Sequence, residues 1–212
     1  MLLHLMLGAF MLQAGAPAQA PGSGTAALIS LYDSARDADA RETIVRRLGS
    51  RGDAAAIAKL VAIAKSDADD DIRETAIRQL SADSSEARTT LLIQLFADIH
   101  DSDLKETLLR QIGARDDAKA RQKLRDVAMS ESEDEDLRET AIRQLSAHAS
   151  DAAAFLIEIY DRIRDTDLKD MLIHQLGASG DAKAAKKLED IAKSDADGDL
   201  RDAAIRQLAR RY

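Results

Sequence analysis

The sequence contains no cysteine, and its two prolines, Pro17 and Pro21, both precede the repeats described below. The lack of cysteine excludes disulfides, thiolate metal sites, a cysteine nucleophile and lipid attachment at cysteine. Aromatic residues make up only 3% of the chain, so the core must be aliphatic and rich in alanine. Basic residues are outnumbered: 30 Lys and Arg against 38 Asp and Glu leave a net charge of −8, which disfavours general binding to a phosphate backbone. The four histidines show no metal-ligand spacing. There is no Ser-His-Asp spacing and no phosphate-cradling glycine loop, and carboxylates are too evenly spread for one pair to stand out as acid and base. The chain is therefore expected not to be an enzyme and to need no cofactor or metal. What remains, 45% hydrophobic and 32% charged residues, is the composition of a folded protein.

Charge is also missing locally. Residues 1–32 contain no Asp, Glu, Lys or Arg, and Met1–Leu12 is almost wholly apolar. Small residues follow, with Ala16-Pro17-Ala18 ahead of Gln19. This pattern predicts a signal peptide over 1–18, cleaved after Ala18 or Ala20, and a short linker over 19–24. It implies an exported chain, periplasmic or secreted. The apolar run is too short to span a membrane, and no later segment is a candidate.

From Thr25 to Tyr212 the text repeats six times. Arg41, Arg73, Lys105, Arg138, Lys169 and Arg201 mark the register, in steps of 32, 32, 33, 31 and 32 residues. Such a period signals stacked supersecondary units. Each unit reads as two helices, A then B. In the second repeat, Ile72, Ala76, Ile77 and Leu80 fall on one face of helix B. Leu28, Leu60, Leu92, Leu124, Leu156 and Leu188 mark the buried stripe of helix A. The spacing of Asp39, Asp71, Asp103, Asp136, Asp167 and Asp199 from an acidic residue three positions on predicts that these aspartates are the N-caps of the B helices.

A period of about 64 residues is superimposed. One slot of helix A runs Tyr32, Ala64, Phe96, Ala128, Tyr160, Ala192, and one slot of helix B runs Ile44, Ala76, Leu108, Ala141, Leu172, Ala204. Large residues are expected to fill space that alanine leaves in the neighbouring repeat. A third slot runs Gly49, Ser81, Gly113, Ser146, Gly177, Ala209, and its glycines suit the left-handed position that ends a helix. The expected fold is an all-α solenoid, a superhelix of six antiparallel helix pairs built as three tandem double repeats over 25–212.

The motif D-x-[RK]-[ED]-x-x-x-R-Q-L, as in Asp71–Leu80 and Asp136–Leu145, resembles HEAT-like repeats of the short bacterial kind. The resemblance implies a binding scaffold with B helices on its concave side. It also implies a ladder in which the six aspartates above pair with the basic series from Arg41 to Arg201. The lack of proline in the repeats departs from that pattern. Such arrays also occur within bacterial envelope regulatory proteins, which suits an adaptor role.

Two further columns lie on helix B. Arg46, Arg78, Arg110, Arg143, His174 and Arg206 fill one slot, with Arg47, Gln79, Gln111, Gln144, Gln175 and Gln207 beside it. One reading is a groove in which guanidinium forks and amides hold a protein or peptide partner, acidic or extended. The other is i, i+4 pairing with Glu42, Glu74, Glu106 and Glu139, at about 0.2–0.5 kcal/mol per pair. Extra apolar residues at Leu91, Ile93, Phe155 and Ile157 mark either a convex contact patch or packing between repeats. The Asp-rich turns, such as Ser66–Asp71 and Ser194–Asp199, lack the EF-hand pattern and read as caps before Ca²⁺ ligands. Two alternatives to a protein scaffold remain: a nucleic-acid-binding array, marked by steep salt dependence, and an accessory subunit of a lyase-type enzyme, marked by turnover that a single carboxylate controls.

Overall fold

The computed structural model describes residues 23–115, 117–148 and 151–210. Among these there are twelve helices and no strand. The A helices are α1 (Ser23–Ser34), α3 (Ala54–Ser66), α5 (Glu86–Asp98), α7 (Ala118–Met129), α9 (Ala152–Arg162) and α11 (Ala182–Ser194). The B helices are α2 (Ala38–Arg51), α4 (Asp70–Leu80), α6 (Ser102–Gly113), α8 (Glu135–His148), α10 (Thr166–Ala178) and α12 (Gly198–Ala209). Each helix touches its partner in the same repeat and its counterparts in the adjacent repeats, and nothing more distant. This is the all-α solenoid of six helix pairs expected from the period. The leader proposed over 1–18 and most of the 19–24 linker lie outside the described residues, and α1 begins at Ser23.

The core is one aliphatic cluster running from Tyr32 to Ala204. Burying each leucine or isoleucine in it contributes about 1.5–3 kcal/mol. The large-and-small alternation sets the spacing of the layers. Ala64 and Ala76, and likewise Ala128 and Ala141, are fully buried, and their helix pairs α3/α4 and α7/α8 pack intimately along their length. Where Tyr32, Phe96 and Tyr160 stand instead, the pairs α1/α2, α5/α6 and α9/α10 are in looser contact. The rings reach forward. The Tyr32 hydroxyl donates to Asp67 of the next repeat, and that of Tyr160 donates to Asp195 at 2.7 Å. The middle unit has Phe96, with no hydroxyl, and Glu131 at the matching acidic position. There the Lys105 and Lys123 ammonium groups lie over the ring, 4.9 and 4.2 Å from its centre, as Lys59 does over Tyr32 and Lys169 and Lys187 do over Tyr160.

The helix starts differ from the sequence expectation. The B helices begin two residues earlier than their motif suggests. The caps are Asp37, Asp69, Asp101, Asp165 and Asp197, whose side chains accept backbone N–H groups of the first turn. Asp39, Asp71, Asp103, Asp136, Asp167 and Asp199 are not caps; they lie in the first turn itself, exposed to solvent. There they complement only the positive end of the helix dipole. The A helices α3, α7 and α11 are capped by Asp53, Asp117 and Asp181, whose side chains also accept first-turn N–H groups.

The glycine column also has another cause. Gly49, Gly113 and Gly177 lie within their helices, and the left-handed glycines are Gly52 and Gly180, at φ 65° and 69°. A Cβ at Gly113 would stand 2.6 Å from the Cβ of Gln144, and one at Gly177 would stand 2.9 Å from that of Gln207. The missing side chain lets α2 approach α4, α6 approach α8 and α10 approach α12. Where the slot holds serine, α4 to α6 and α8 to α10, the contact is sparser.

Two measurements check these assignments. Asp69→Ala should lower unfolding stability by about 0.5–2 kcal/mol, as loss of a cap does, whereas Asp71→Ala should cost no more than about 0.3–1 kcal/mol; equal losses would return the cap role to both. Gly113→Ala should lower the melting temperature, because overpacking of about 1–3 kcal/mol outweighs the roughly 1 kcal/mol that alanine gains in helix propensity. A raised melting temperature would show that α6 and α8 part without strain.

Candidate partner-binding face

The B helices contact their neighbours along the array more closely than the A helices do. Closer spacing on one side bends a stack toward that side, so the B layer lines the inside of the curve. The column Arg46, Arg78, Arg110, Arg143, His174 and Arg206 runs along this layer, all exposed. Each of the first four arginines bonds the glutamate one turn before it: Arg46 to Glu42, Arg78 to Glu74, Arg110 to Glu106 and Arg143 to Glu139. His174 stands 3.6 Å from Asp170, and Arg206 has no ion-pair partner among the described residues. The helical pairing reading is therefore realised. The four arginine side chains keep about half their surface in water, with exposures from 49% to 60%.

The glutamates do a second job. Thr75 donates to Glu42 at 3.3 Å, Thr107 to Glu74 at 3.1 Å and Thr140 to Glu106 at 3.2 Å. Each bond crosses from one repeat to the one before, and each threonine is buried. The threonine column ends at Met171 and Ala203, so this rung is confined to the first four repeats.

The glutamine column is largely taken up by the same interface. Gln79, Gln144 and Gln207 fill the space above Gly49, Gly113 and Gly177. Gln111 accepts a hydrogen bond from the Ser81 hydroxyl, and Gln207 meets His174 Nδ1 at 2.7 Å. These four amides are committed between repeats and are not free for a partner's backbone, contrary to the sequence expectation. Gln175 is half-buried, in the slot that Gln111 fills two repeats earlier.

The ladder implied by the resemblance forms on other carboxylates. Arg41 bonds Asp67 of the next repeat at 2.9 Å and reaches Asp69 at 3.8 Å. Lys105 bonds Glu133 at 2.8 Å, and Arg138 bonds Asp165 at 3.3 Å. Arg73 turns to Asp70 of its own helix, and Arg201 to the carbonyl of Asp195 at 2.6 Å. Asp39, Asp71, Asp103, Asp136, Asp167 and Asp199 take no part; they form an acidic row beside the arginine row, with no ion-pair partner among the described residues. Between α4 and α6 this row borders a cleft of about 290 Å³ lined by Asp71, Glu74, Asp103, Glu106 and Arg110. The Asp-rich turns serve as caps: Asp67 accepts the N–H of Asp69, and Asp195 that of Asp197, each at 3.0 Å. Carboxylate oxygens of Glu135, Asp165 and Asp167 come within 4.8 Å of one another, but two of the three are exposed and Asp165 is already the cap of α10.

On the outer side, Leu91, Ile93, Phe155 and Ile157 are partly buried against the core. The Arg125 guanidinium lies 5.0 Å from the Phe155 ring centre, while Ile93 borders a shallow groove with Thr90 and Lys123. Packing between repeats takes up part of this surplus.

The family match agrees with the geometry. Residues 13–81 and 128–209 match the model of HEAT repeats. The chain belongs to the HEAT-repeat family. Among solved structures, this HEAT-repeat chain is similar to the complex of CpcE and CpcF of phycocyanin lyase from Nostoc sp. PCC7120. The alignment covers 97% of this chain and 93% of that one, at 17% identity and a TM-score of 0.39, which is too loose to carry an argument. No curated protein matches. Among the described residues no helix is long and apolar enough to cross a membrane.

The carboxylates between repeats make the array acid-sensitive. Burial works to raise the pKa of Asp67 and Asp195, but the tyrosine hydroxyls, the backbone N–H groups and the nearby cations outweigh it and hold both below the usual 3.8. A depressed carboxylate contributes stability above its unfolded pKa and loses it as pH falls through the folded value. Stability should therefore decline as pH drops below about 4. In Asp67→Asn the urea midpoint should be lower at pH 7 and fall less steeply with acid; parallel acid limbs for variant and wild type would remove Asp67 from this role.

Proposed function

We propose that this HEAT-repeat chain is a non-catalytic scaffold that holds an extended protein segment along its B-helix face, as an exported adaptor or regulatory module. The observation that carries the reading is the pair of parallel rows on that face, aspartate at every unit and arginine at every unit but the fifth, which has His174. A surface with one period along its whole length suits a long partner laid across several repeats rather than a small molecule in one pocket.

The charge of the face shapes the expected partner. Each of four arginines is paired with a glutamate, while the aspartate row has no ion-pair partner among the described residues. The complementary segment therefore carries basic side chains toward Asp71, Asp103 and Asp136, with carboxylates reaching the outer donors of Arg78, Arg110 and Arg143. This shifts the expectation of an acidic partner toward one of mixed sign with basic groups prevailing. Such electrostatic matching contributes more to selectivity and association rate than to raw affinity.

The test is capture from an envelope extract of the source cell, with three baits. One is wild type, one carries Asp71, Asp103 and Asp136 changed to Asn, and one carries Arg78, Arg110 and Arg143 changed to Glu. A partner held by wild type and lost from the Asn bait, with weaker loss from the Glu bait, is the expected result. Identical captures by all three baits, or none, would leave the B face without a binding role. The same protein isolated from the envelope should begin at Gln19 or Pro21 by intact mass; an uncleaved leader would contradict the exported assignment.

A further inference from the structure

The two ends of the described array are matching halves of a junction that occurs twice inside it. The pair α3/α4 packs on α5/α6, and the pair α7/α8 packs on α9/α10. At these junctions Ile77 and Ile142 are fully buried by the repeat that follows them. Ile205 fills the same slot of α12 and is 51% exposed. Leu95 and Ile159, 1% and 0% exposed, have their counterpart in Leu31 of α1, which is 56% exposed. The pattern extends to the flanks. Leu108 and Leu172 are buried where Ile44 is only half-buried, and Leu80 and Leu145 are buried where Leu208 is half-buried.

The polar groups match as well. Across the α4/α6 junction, Thr107 donates to Glu74 and Arg115 donates to the carbonyl of Ser81 at 2.9 Å; at the α8/α10 junction the same slots hold Met171 and Ser179. At the free ends the equivalent groups are Thr43 and Asp202, both exposed, and Arg51 and the carbonyl of Ala209. Gln111 opposite Ser81 has its counterpart in Arg47 opposite Ala209, a longer side chain facing a shorter one. That slot places Arg47 beside the C-terminal turn of α12, where a cation is favoured by the helix dipole. A cavity of about 450 Å³ bordered by Leu28, Arg47, Ser50 and Arg51 opens on the α1/α2 end.

We propose that copies of this chain stack head to tail, the α11/α12 face of one copy seated on the α1/α2 face of the next in the geometry of the internal junctions. The contact is heterologous: two different faces meet, each copy keeps one of each, and growth does not stop at a dimer. The curve of the array decides whether the stack closes into a ring or continues. The occupant is a second copy because the apolar slots recur at the ends in the register of both internal junctions, and the threonine-to-carboxylate and arginine-to-carbonyl groups recur in the register of the α4/α6 junction.

Sedimentation of the full chain over a range of concentrations tests this, with Leu31→Glu and Ile205→Glu as variants. Both positions are exposed, so helical content and melting temperature should stay as in wild type. Wild type is expected to gain mass with concentration beyond a dimer. Each variant alone should remain a monomer, because one of its two faces is lost. An equimolar mixture of the two should form dimers and stop there, since the intact face of each fits the intact face of the other. A wild type that stays monomeric, as it would if the chain's own first 22 residues cover α1, overturns the proposal. So does association that both variants retain, or a mixture that stays monomeric while wild type associates.

Discussion

No repeat in this chain can bury its apolar face alone. A helix pair of some 30 residues has too little core of its own, so its stability comes from the face it shares with the next pair. The rest of the structure follows from making that shared face fit. The double period is the solution adopted here. Alanine pairs such as Ala64 with Ala76 draw two helices together within even repeats, and the rings of Tyr32 and Tyr160 fill the wider odd repeats and reach across to Asp67 and Asp195. Glycine in one B helix then admits glutamine from the next. Size and shape alternate in three slots at once, and each alternation answers another.

Charge serves the same junctions. The carboxylates at helix starts satisfy backbone N–H groups that would otherwise be left without partners. Those one turn later, Glu42, Glu74 and Glu106, hold an arginine on their own helix and a threonine on the next. A protein with 38 acidic residues thus uses many of them internally. What faces solvent on the B layer is the remainder: the aspartate row and the outer edges of the arginines. The polarity of the binding face is a consequence of which charges the architecture has already engaged.

Much of this was legible in the text of the chain. Helix pairs, their number, the buried stripe from Leu60 to Leu188 and the alternation of ring with alanine all follow from periodicity and local chemistry. The caps of the B helices did not. Aspartate recurs at two columns two residues apart, Asp69 and Asp71 being one example, and the acidic residue three positions after the second column imitates a capping box. Glu74 is in fact placed for Arg78 and Thr107. The column Asp37, Asp69, Asp101, Asp134, Asp165, Asp197 is as unbroken as the column two residues on, and spacing alone does not say which of two aspartates has left the helix.

Local sequence determined what each segment is, because helix propensity, capping chemistry and a 3.6-residue stripe act over one or two turns. Tertiary structure decided what each polar side chain is for. Gln79 and Gln144 look like surface amides until the glycine of the preceding repeat is seen beneath them. Arg46 and Arg41 are both basic residues on one helix, yet the first faces solvent and the second joins two repeats. Ile77 and Ile205 share the same slot and the same neighbours in sequence, and differ only in whether another repeat lies against them. Contacts between residues some 30 positions apart depend on how the pairs stack, and stacking is a property of the assembled array.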